Sequence, residues 1–441
     1  MMFSNTDLRK LVVPLLIEQV LAVTVGMLDI IMVSSVGETA VSGVSLVDTI
    51  NILLINIFSA LATGGAVVSA QYIGRGDRKQ ASVAANQLLL STTVISAVIM
   101  VLALVGRKWI LSLIFGHVEA AIMDSALIYF QITALSYPFL AIYNACAALY
   151  RSMGNSKLSM KTSLLMNAIN VLGNALCIYG LHMGVAGVAI PTLVSRTVAA
   201  LLMLYLVRNP ANLIHVDEKL RLGYQPSMIR RILSIGIPNG LENSMFQIGK
   251  ILVTSLVATF GTASIAANAV SNTIATFQII PGNAIGLALI TVVGQCVGAK
   301  DYKQARYYTR KLLFLAHIGI AILSMAILLC LPLILNLYHL SDEATEYARQ
   351  ILWLHGVCAI FIWPESFTLP NTLRASNDAK FTMTVSICSM WLCRIACSYL
   401  LAQGFGLGVF GVWIAMMIDW AVRAIIFLVR YRGTRWQHRT T

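Results

Sequence analysis

The chain has 441 residues, of which 58% are apolar and only 11% are charged, and its formal net charge is +13. Soluble domains carry about 25% charged residues, so this composition excludes an ordinary soluble protein. It favours a chain that crosses a membrane many times. The apolar runs are long and continuous, which excludes an outer-membrane barrel, because barrel strands are short and alternate apolar with polar residues.

The apolar runs predict twelve membrane-spanning helices, and so an all-α polytopic membrane protein. A span needs about 20 mostly apolar residues, and its backbone polar groups must bond within the helix because the bilayer core holds no water. With loose boundaries, the predicted spans are 11–34, 46–71, 84–105, 121–148, 159–180, 185–207, 232–259, 267–296, 312–336, 346–371, 382–403 and 407–429.

The positive charge is concentrated in loops on one side of these helices. In the loops of the opposite side, the only Lys or Arg residues are Arg107, Lys108 and Arg349. Cytoplasmic loops are enriched in Lys and Arg, so both termini are predicted to be cytoplasmic. This distribution argues against nucleic-acid binding. It predicts a multi-pass protein of the cell (inner) membrane whose basic loops contact lipid headgroups.

The chain repeats itself after 224 residues. Glu18 falls on Glu242, and the string Gln-x-x-Gly-x-x-Asp-x-Lys-Gln-Ala begins at Gln71 and again at Gln295. Such a match predicts two copies of one six-helix unit. Because six is even, both copies enter the membrane from the same side, as parallel repeats with pseudo-two-fold symmetry.

The repeat also defines the predicted domains. Residues 1–210 form an N-lobe with helices one to six, and residues 231–441 form a C-lobe with helices seven to twelve. The polar stretch 211–230 is the predicted cytoplasmic linker. Paired repeats in a membrane are the usual architecture of a carrier, which holds its substrate between the two halves.

One carboxylate lies inside the first predicted span, where a charge costs about 2.5–3.5 kcal/mol by insertion scales. This residue is Asp29, and no basic residue lies one turn away on its helix. The topology places Asn170, Asn174 and Thr192 at the same depth. Oxygen ligands suit hard cations, so these four residues predict a Na⁺ or proton site. The alternative is a hydrogen-bond network that only holds helices together.

Two carboxylates in the C-lobe are candidates for cation or substrate binding. Glu242 and Glu365 are predicted to lie in the inner halves of helices seven and ten. Glu242 has Glu18 as its repeat mate, so a packing role shared by both lobes is equally open. The sequence alone does not decide between these roles.

A third group of ionisable residues lies deeper in the C-lobe. Asp419 and Arg423 are four residues apart on one helix, so they can pair. Arg394 on the preceding helix is expected to reach Asp419 as well. We interpret Arg394, Asp419 and Arg423 as a structural ion pair.

These features resemble the multidrug and toxic compound extrusion (MATE) family over nearly the whole chain. The resemblance rests on the twelve helices in two lobes and on several short segments. The segments are Pro14 with Asp29, Gln71-Tyr72-Ile73-Gly74 with its repeat at Gln295, Leu149-Tyr150-Arg151-Ser152-Met153-Gly154, and Leu373-Arg374-Ala375.

The resemblance implies an antiporter that exports drugs and other cationic or amphipathic compounds by alternating access, driven by Na⁺ or H⁺. In similar proteins the coupling cation binds at the positions of Asp29, Asn170, Asn174 and Thr192. Many relatives carry Asp where this chain has Asn174, so one carboxylate is expected here instead of two. Neither C-lobe Glu aligns with the acidic positions of relatives, which leaves a C-lobe Na⁺ site without support.

The resemblance implies small-molecule drugs or toxic organic cations and the lipid bilayer as partners, a monomer, no cofactor, and no metal beyond Na⁺. The alternative is a lipid-linked oligosaccharide flippase of the same superfamily, for which extra helices and a more basic central cavity are expected. Twelve spans with few cations inside them disfavour it. An enzyme is not expected, because no nucleophile, base or metal motif such as His-Glu-x-x-His occurs.

Overall fold

The computed structural model describes residues 2–116, 118–216 and 223–438, which are almost entirely helical and contain no strand. In the first half of the chain, the helices are α1 (Asn5–Ser34), α2 (Glu38–Gly74), α3 (Arg78–Phe115), α4 (Ala120–Leu135), α5 (Tyr137–Ser152), α6 (Ser156–Ala175) and α7 (Ala186–Val207). A π-helical turn, Leu176–Gly180, continues α6.

The second half contains more short helices. They are α8 (Pro226–Ala258), α9 (Thr262–Gln278), α10 (Ile280–Gly298), α11 (Tyr302–Leu329), α12 (Leu331–Leu337), α13 (Asp342–Phe361), α14 (Pro370–Ala375), α15 (Ala379–Ser389), α16 (Cys397–Tyr399) and α17 (Gly408–Arg432). π-helical turns occupy Pro364–Thr368, Met390–Ala396 and Leu400–Gly404, and a 3₁₀ turn occupies Arg435–His438.

The helices have the lengths and surfaces of a membrane protein. Nine of the described helices are long and apolar enough to cross a membrane, and counting two bent pairs as single spans raises the number to eleven. The remaining predicted span, 232–259, lies in the 33-residue helix α8. Outward-facing side chains are apolar, with Val105, Leu337 and Leu329 exposed by 82%, 78% and 76%. The predicted all-α polytopic membrane fold is confirmed.

Two spans that were predicted as continuous are bent. The pair α4 and α5 meets at 45° around Ser136, and α13 meets the segment Pro364–Ala375 at 62°. Pro138 and Pro364 stand just after these breaks. Proline lacks a backbone N–H and fits the first turn of a helix, which explains why new helical segments begin there. By contrast, Pro14 lies inside the unbroken helix α1.

The repeat of 224 residues extends to the helix boundaries. Adding 224 to the bounds of α2 gives 262 and 298, the first residue of α9 and the last residue of α10. The second copy is split because Pro281 opens α10, whereas Ile57 stands at the corresponding position of α2. The same shift carries the π-helical turn Leu176–Gly180 onto Leu400–Gly404.

Local chain geometry repeats as well. The side chain of Asp77 accepts a hydrogen bond from Gln80 N at 3.0 Å, and Asp301 accepts one from Gln304 N at 3.0 Å. Both carboxylates cap the helices that follow, α3 and α11. The backbone hydrogen bond from Gln304 lowers the pKa of the Asp301 carboxyl. The repeated string that begins at Gln71 therefore encodes a helix cap.

The contacts divide the chain into two compact units, Ser4–Gly240 and Leu241–Thr441, the second joined by Met1–Phe3. The predicted linker at 211–230 stays a prediction, and its residues 217–222 lie outside the described part of the chain. In the first unit α2 packs against α3, α4 and α5, while α6 packs against both α1 and α7. This arrangement makes α1, α6 and α7 neighbours.

The second unit is built around aromatic side chains. Trp363, Trp413 and Trp420 belong to one buried cluster and are each at most 4% exposed. Phe367 stacks on Trp363 with ring centroids 5.1 Å apart, and it meets Trp420 edge-on. Such offset and edge-on contacts are the favoured geometries of aromatic pairs, so they fix the packing of this unit.

Candidate functional site

Three neighbouring helices of the first unit bring together the four residues of the predicted cation site. Asp29 comes from α1, Asn170 and Asn174 from successive turns of α6, and Thr192 from α7. The close approach of α6 and α7 depends on Gly173, because a Cβ atom there would lie 2.8 Å from Cβ of Pro191.

The two asparagine amides hold the Asp29 carboxylate. Asn170 Nδ2 donates at 3.1 Å to each of the two Asp29 oxygens, and Asn174 Nδ2 donates to Oδ1 at 3.0 Å. The Thr192 hydroxyl lies 3.1 Å from Asn170 Oδ1 and 3.0 Å from the Val188 carbonyl oxygen. Its single proton serves one of these oxygens. The four predicted side chains thus form one connected cluster.

The cluster offers oxygen atoms that lack donors. Asn174 is fully buried, and its Oδ1 atom has no hydrogen-bond partner among the described residues. Buried oxygens in folded proteins nearly always have a partner, so this one needs an explanation. A bound cation would supply it, since carboxylate, amide and hydroxyl oxygens are the ligands that hard cations take.

The cluster opens onto a cavity of about 540 Å³ within the first unit. Asp29, Asn170 and Thr192 line it, and so do residues that the sequence reasoning missed. Those polar residues are Ser45, Asp48, Asn51, Tyr129, Asn167, Ser195 and Arg196. Most of the other lining side chains are apolar.

Asp48 is a second carboxylate in this cavity, and it corrects the expectation that the N-lobe site has only one. Its Oδ1 accepts hydrogen bonds from Tyr129 Oη at 3.0 Å and from Asn51 Nδ2 at 3.2 Å. Asn51 in turn accepts from Tyr137 Oη at 2.8 Å. The helix α2 begins at Glu38, eight residues before the predicted span, so Asp48 lies well inside the helix instead of at its margin.

Arg196 is a cation inside the membrane that the count of basic residues by loop left out. It lies in α7, one turn after Thr192, and lines the same cavity. Its Nη1 atom donates to Ser136 Oγ at 2.7 Å. The visible signal was a single Arg in the middle of an apolar run, which the cost of burying a charge marks as significant.

The structure places the two C-lobe carboxylates beside separate basic residues. Glu242 Oε1 lies 2.8 Å from Arg374 Nη2, with both side chains about nine-tenths buried. Glu365 Oε1 lies 2.7 Å from His317 Nε2. Glu242 and Glu365 are therefore not brought into one cluster with shared hydrogen bonds.

The repeat mate of Glu242 makes the corresponding ion pair. In the first unit Glu18 lies 3.5 Å from Arg151 Nη1 and accepts a hydrogen bond from Ser159 at 3.0 Å. In each unit a Glu of the long first helix therefore pairs with an Arg near the end of a helix that follows a bend. This geometry favours the shared packing role for Glu18 and Glu242.

The third predicted group is only partly assembled. Arg423 Nε lies 2.9 Å from Asp419 Oδ1, as the spacing predicted, and both side chains are buried. Arg394 does not come within ion-pair distance of Asp419, which corrects the expectation that it caps this residue. Arg394 Nη2 instead lies 3.0 Å from Met416 Sδ, and the guanidinium sits over the Phe246 ring.

A polar cavity inside a polytopic helical protein is the arrangement of a membrane transporter. The MatE family model matches residues 14–176 and 238–400, which together cover most of the chain. The two matches begin 224 residues apart, the period of the internal repeat. The chain belongs to the MatE family.

Relatives cover the chain from end to end. The chain is 27% identical over 459 residues to "Uncharacterized transporter YisQ" of Bacillus subtilis (strain 168), covering 98% of each. It is 26% identical over 446 residues to "Probable multidrug resistance protein NorM" of Thermotoga maritima, covering 98% of this chain and 93% of that protein. Both are named as proteins of transport or drug resistance, not as enzymes.

Solved structures share the fold. "Crystal structure of MATE in the bent conformation" matches with a TM-score of 0.89 at 19% identity, covering 97% of this chain and 94% of that chain. A second match has the same TM-score, identity and coverage, and is described as "Outward-facing conformation of a multidrug resistance MATE family transporter of the MOP superfamily". The two-lobe membrane fold of this chain is therefore that of MATE transporters.

Proposed function

We propose that this protein exports drugs and other organic cations in exchange for Na⁺ or H⁺, and that the coupling cation binds at Asp29. One observation carries the proposal. Asp29 is held inside the membrane by two neutral amides, and no basic side chain of the described residues lies within ion-pair distance of it. A carboxylate placed in this way is neutralised most simply by a cation from solution.

The residues around Asp29 fit this role. An unpaired charge inside a membrane is costly, so binding a proton or Na⁺ there releases free energy. The buried Oδ1 of Asn174 and the hydroxyl oxygen of Thr192 are further ligands for Na⁺. A proton would need only the Asp29 carboxylate itself, so the arrangement serves either ion.

Coupling requires that the cation bind one conformation of the transporter more tightly than the other, because a ligand shifts an equilibrium only by its differential affinity. Asp29 stands fifteen residues after Pro14 on α1, and it joins α1 to α6 through its hydrogen bonds. Cation binding would weaken the bonds from the amides and let α1 move. The substrate cavity, which shares the Asp29 wall, would change with it.

The cavity composition supports amphipathic cations as substrates. Apolar side chains of α1, α2 and α7 form most of the wall, and Asp29 and Asp48 add negative charge. This matches the naming of several relatives as probable multidrug resistance proteins. We further propose a monomer in the cell membrane with both termini cytoplasmic, organised as lobes 1–210 and 231–441 around the linker 211–230.

The flippase alternative is less well supported. A lipid-linked phosphate would need a basic cavity, and Arg196 is the one Lys or Arg among the described residues that line this cavity. Two carboxylates, Asp29 and Asp48, outnumber it. Export of organic cations is therefore the better match to the charge of the cavity.

Efflux of ethidium from loaded cells tests the proposal. Cells that express the wild-type chain should lose ethidium faster than cells with an empty vector, and Asp29→Asn should abolish the difference. Asp124→Asn makes the same chemical change at an exposed position of α4, so it should behave as wild type. Normal efflux by Asp29→Asn at equal membrane expression would contradict the proposed role of Asp29.

A further inference from the structure

Arg196 carries an unexplained positive charge within the cavity of the first unit. Among the described residues, no carboxylate lies within 4.0 Å of its guanidinium, although it attracts both Asp29 and Asp48 electrostatically from farther away. Its hydrogen bond to Ser136 uses one of five N–H donors. A buried cation needs a partner, and the remaining donors are available to a ligand in the cavity.

The charges of the cavity nearly balance. Ionised Asp29 and Asp48 contribute two negative charges, and Arg196 contributes one positive charge. When the coupling cation neutralises Asp29, one negative and one positive charge remain. A ligand that is neutral overall but carries separated charges of both signs would then satisfy both groups at once.

The two remaining charges are held in fixed positions on different helices. Asp48 of α2 is fixed through its Oδ1 atom by Tyr129 and Asn51, and Arg196 of α7 is fixed by Ser136. The planar guanidinium fork binds a carboxylate through two parallel hydrogen bonds, which a point charge such as ammonium does not. Apolar side chains between these groups would cover the body of the ligand. They include Val25, Ile52, Ile55, Leu140 and Val188.

We propose that the cavity selects substrates that carry an acidic group as well as a basic nitrogen, with the acidic group bound by Arg196 and the basic nitrogen by Asp48. The volume of about 540 Å³ suits one drug-sized amphipathic molecule. This inference rests on the proposed export function and specifies its substrate class. It makes Arg196 the residue that distinguishes zwitterionic substrates from simple cations.

Two fluorescent dyes provide a matched test, because rhodamine 123 is the methyl ester of rhodamine 110. The two molecules share the cationic ring system, and only rhodamine 110 has a free carboxylate. We expect the purified wild-type protein to bind rhodamine 110 about tenfold more tightly than the ester, as expected for one charge-assisted pair. Binding is measured by equilibrium fluorescence polarisation without any ion gradient.

Variants of Arg196 locate the preference. Arg196→Gln should abolish the acid–ester preference by weakening only rhodamine 110 binding, and Arg196→Lys should retain part of it. Arg107→Gln, the same change on α3 outside the cavity lining, should leave the preference intact. The ratio of the two affinities does not depend on how much of a variant is folded, so a partly unstable variant remains informative.

Two results would overturn the inference. One is equal binding of acid and ester by the wild type, and the other is an equal loss of both dyes in Arg196→Gln, which would mark Arg196 as structural. Failure of the proposed coupling would look different. It would appear as gradient-driven transport that survives Asp29→Asn, whereas the acid–ester ratio is measured at equilibrium and would be unaffected.

Discussion

The amide nitrogen of Asn174 donates a hydrogen bond to Asp29 Oδ1 at 3.0 Å, while the Oδ1 atom of the same Asn174 is buried and has no partner among the described residues. The two residues thus place a carboxylate and an unsatisfied acceptor side by side. A buried acceptor without a donor costs free energy that a bound cation would recover. The proposed cation site follows from this pair.

Removing the Asn174 side chain should weaken cation binding. Asn174→Ala deletes one donor to Asp29 and one candidate ligand oxygen, so the half-maximal concentration of the driving ion should rise about tenfold, the effect of one hydrogen bond to a charged group. Ion titrations of substrate transport measure this. Asn272→Ala is the matched control, since the Asn272 amide bonds only to the backbone oxygen of Asn268. An unchanged ion dependence in Asn174→Ala would place the ion elsewhere.

The spacing of α6 and α7 should also control the site. In Gly173→Ala the new Cβ atom would lie 2.8 Å from Pro191 Cβ, so the helices must separate by some tenths of an ångström. Thr192 would then move away from Asn170, and the ion titration should shift in the same direction as for Asn174→Ala. Gly240→Ala adds a Cβ atom at an ordinary distance of 3.6 Å from Ala60 and should have no such effect. Identical titrations for both variants would refute this role of Gly173.

The ion pair of Glu242 and Arg374 should contribute to stability, not to coupling. Arg374→Met leaves Glu242 buried without its partner and should lower the free energy of unfolding by about 3–5 kcal/mol, as for other broken buried pairs. Adding Glu242→Gln removes the orphaned charge, so the double variant should recover much of the loss. Thermal unfolding in detergent measures the order of the three proteins. A double variant no more stable than Arg374→Met would contradict the pairing.

Much of the fold was predictable because it follows from composition and repetition. Apolar runs long enough for a bilayer fix the helices, and the 224-residue shift carries the ends of α2 onto the ends of the α9–α10 segment. The meeting of Asp29, Asn170, Asn174 and Thr192 was predictable from their common depth in the membrane. Whether they bind a cation stays a prediction.

The remainder of the cavity was not predictable by the same reasoning. Apolarity does not show where a helix begins, and α2 starts with polar and small residues, so Asp48 was placed at the margin of its span. Arg196 was passed over because basic residues were sorted by loop. The partners of Glu242 and Glu365 depend on how bent helices pack, which sequence spacing does not encode.

Transport by purified protein in liposomes, with an imposed Na⁺ gradient or an imposed pH gradient, tests the central claim most directly. We predict that one of the two gradients drives substrate efflux from wild-type proteoliposomes and that Asp29→Asn abolishes this efflux while Asp124→Asn retains it. Gradient-driven efflux that survives Asp29→Asn would contradict the account, and would move the coupling site to Glu242 or Glu365 in the second unit.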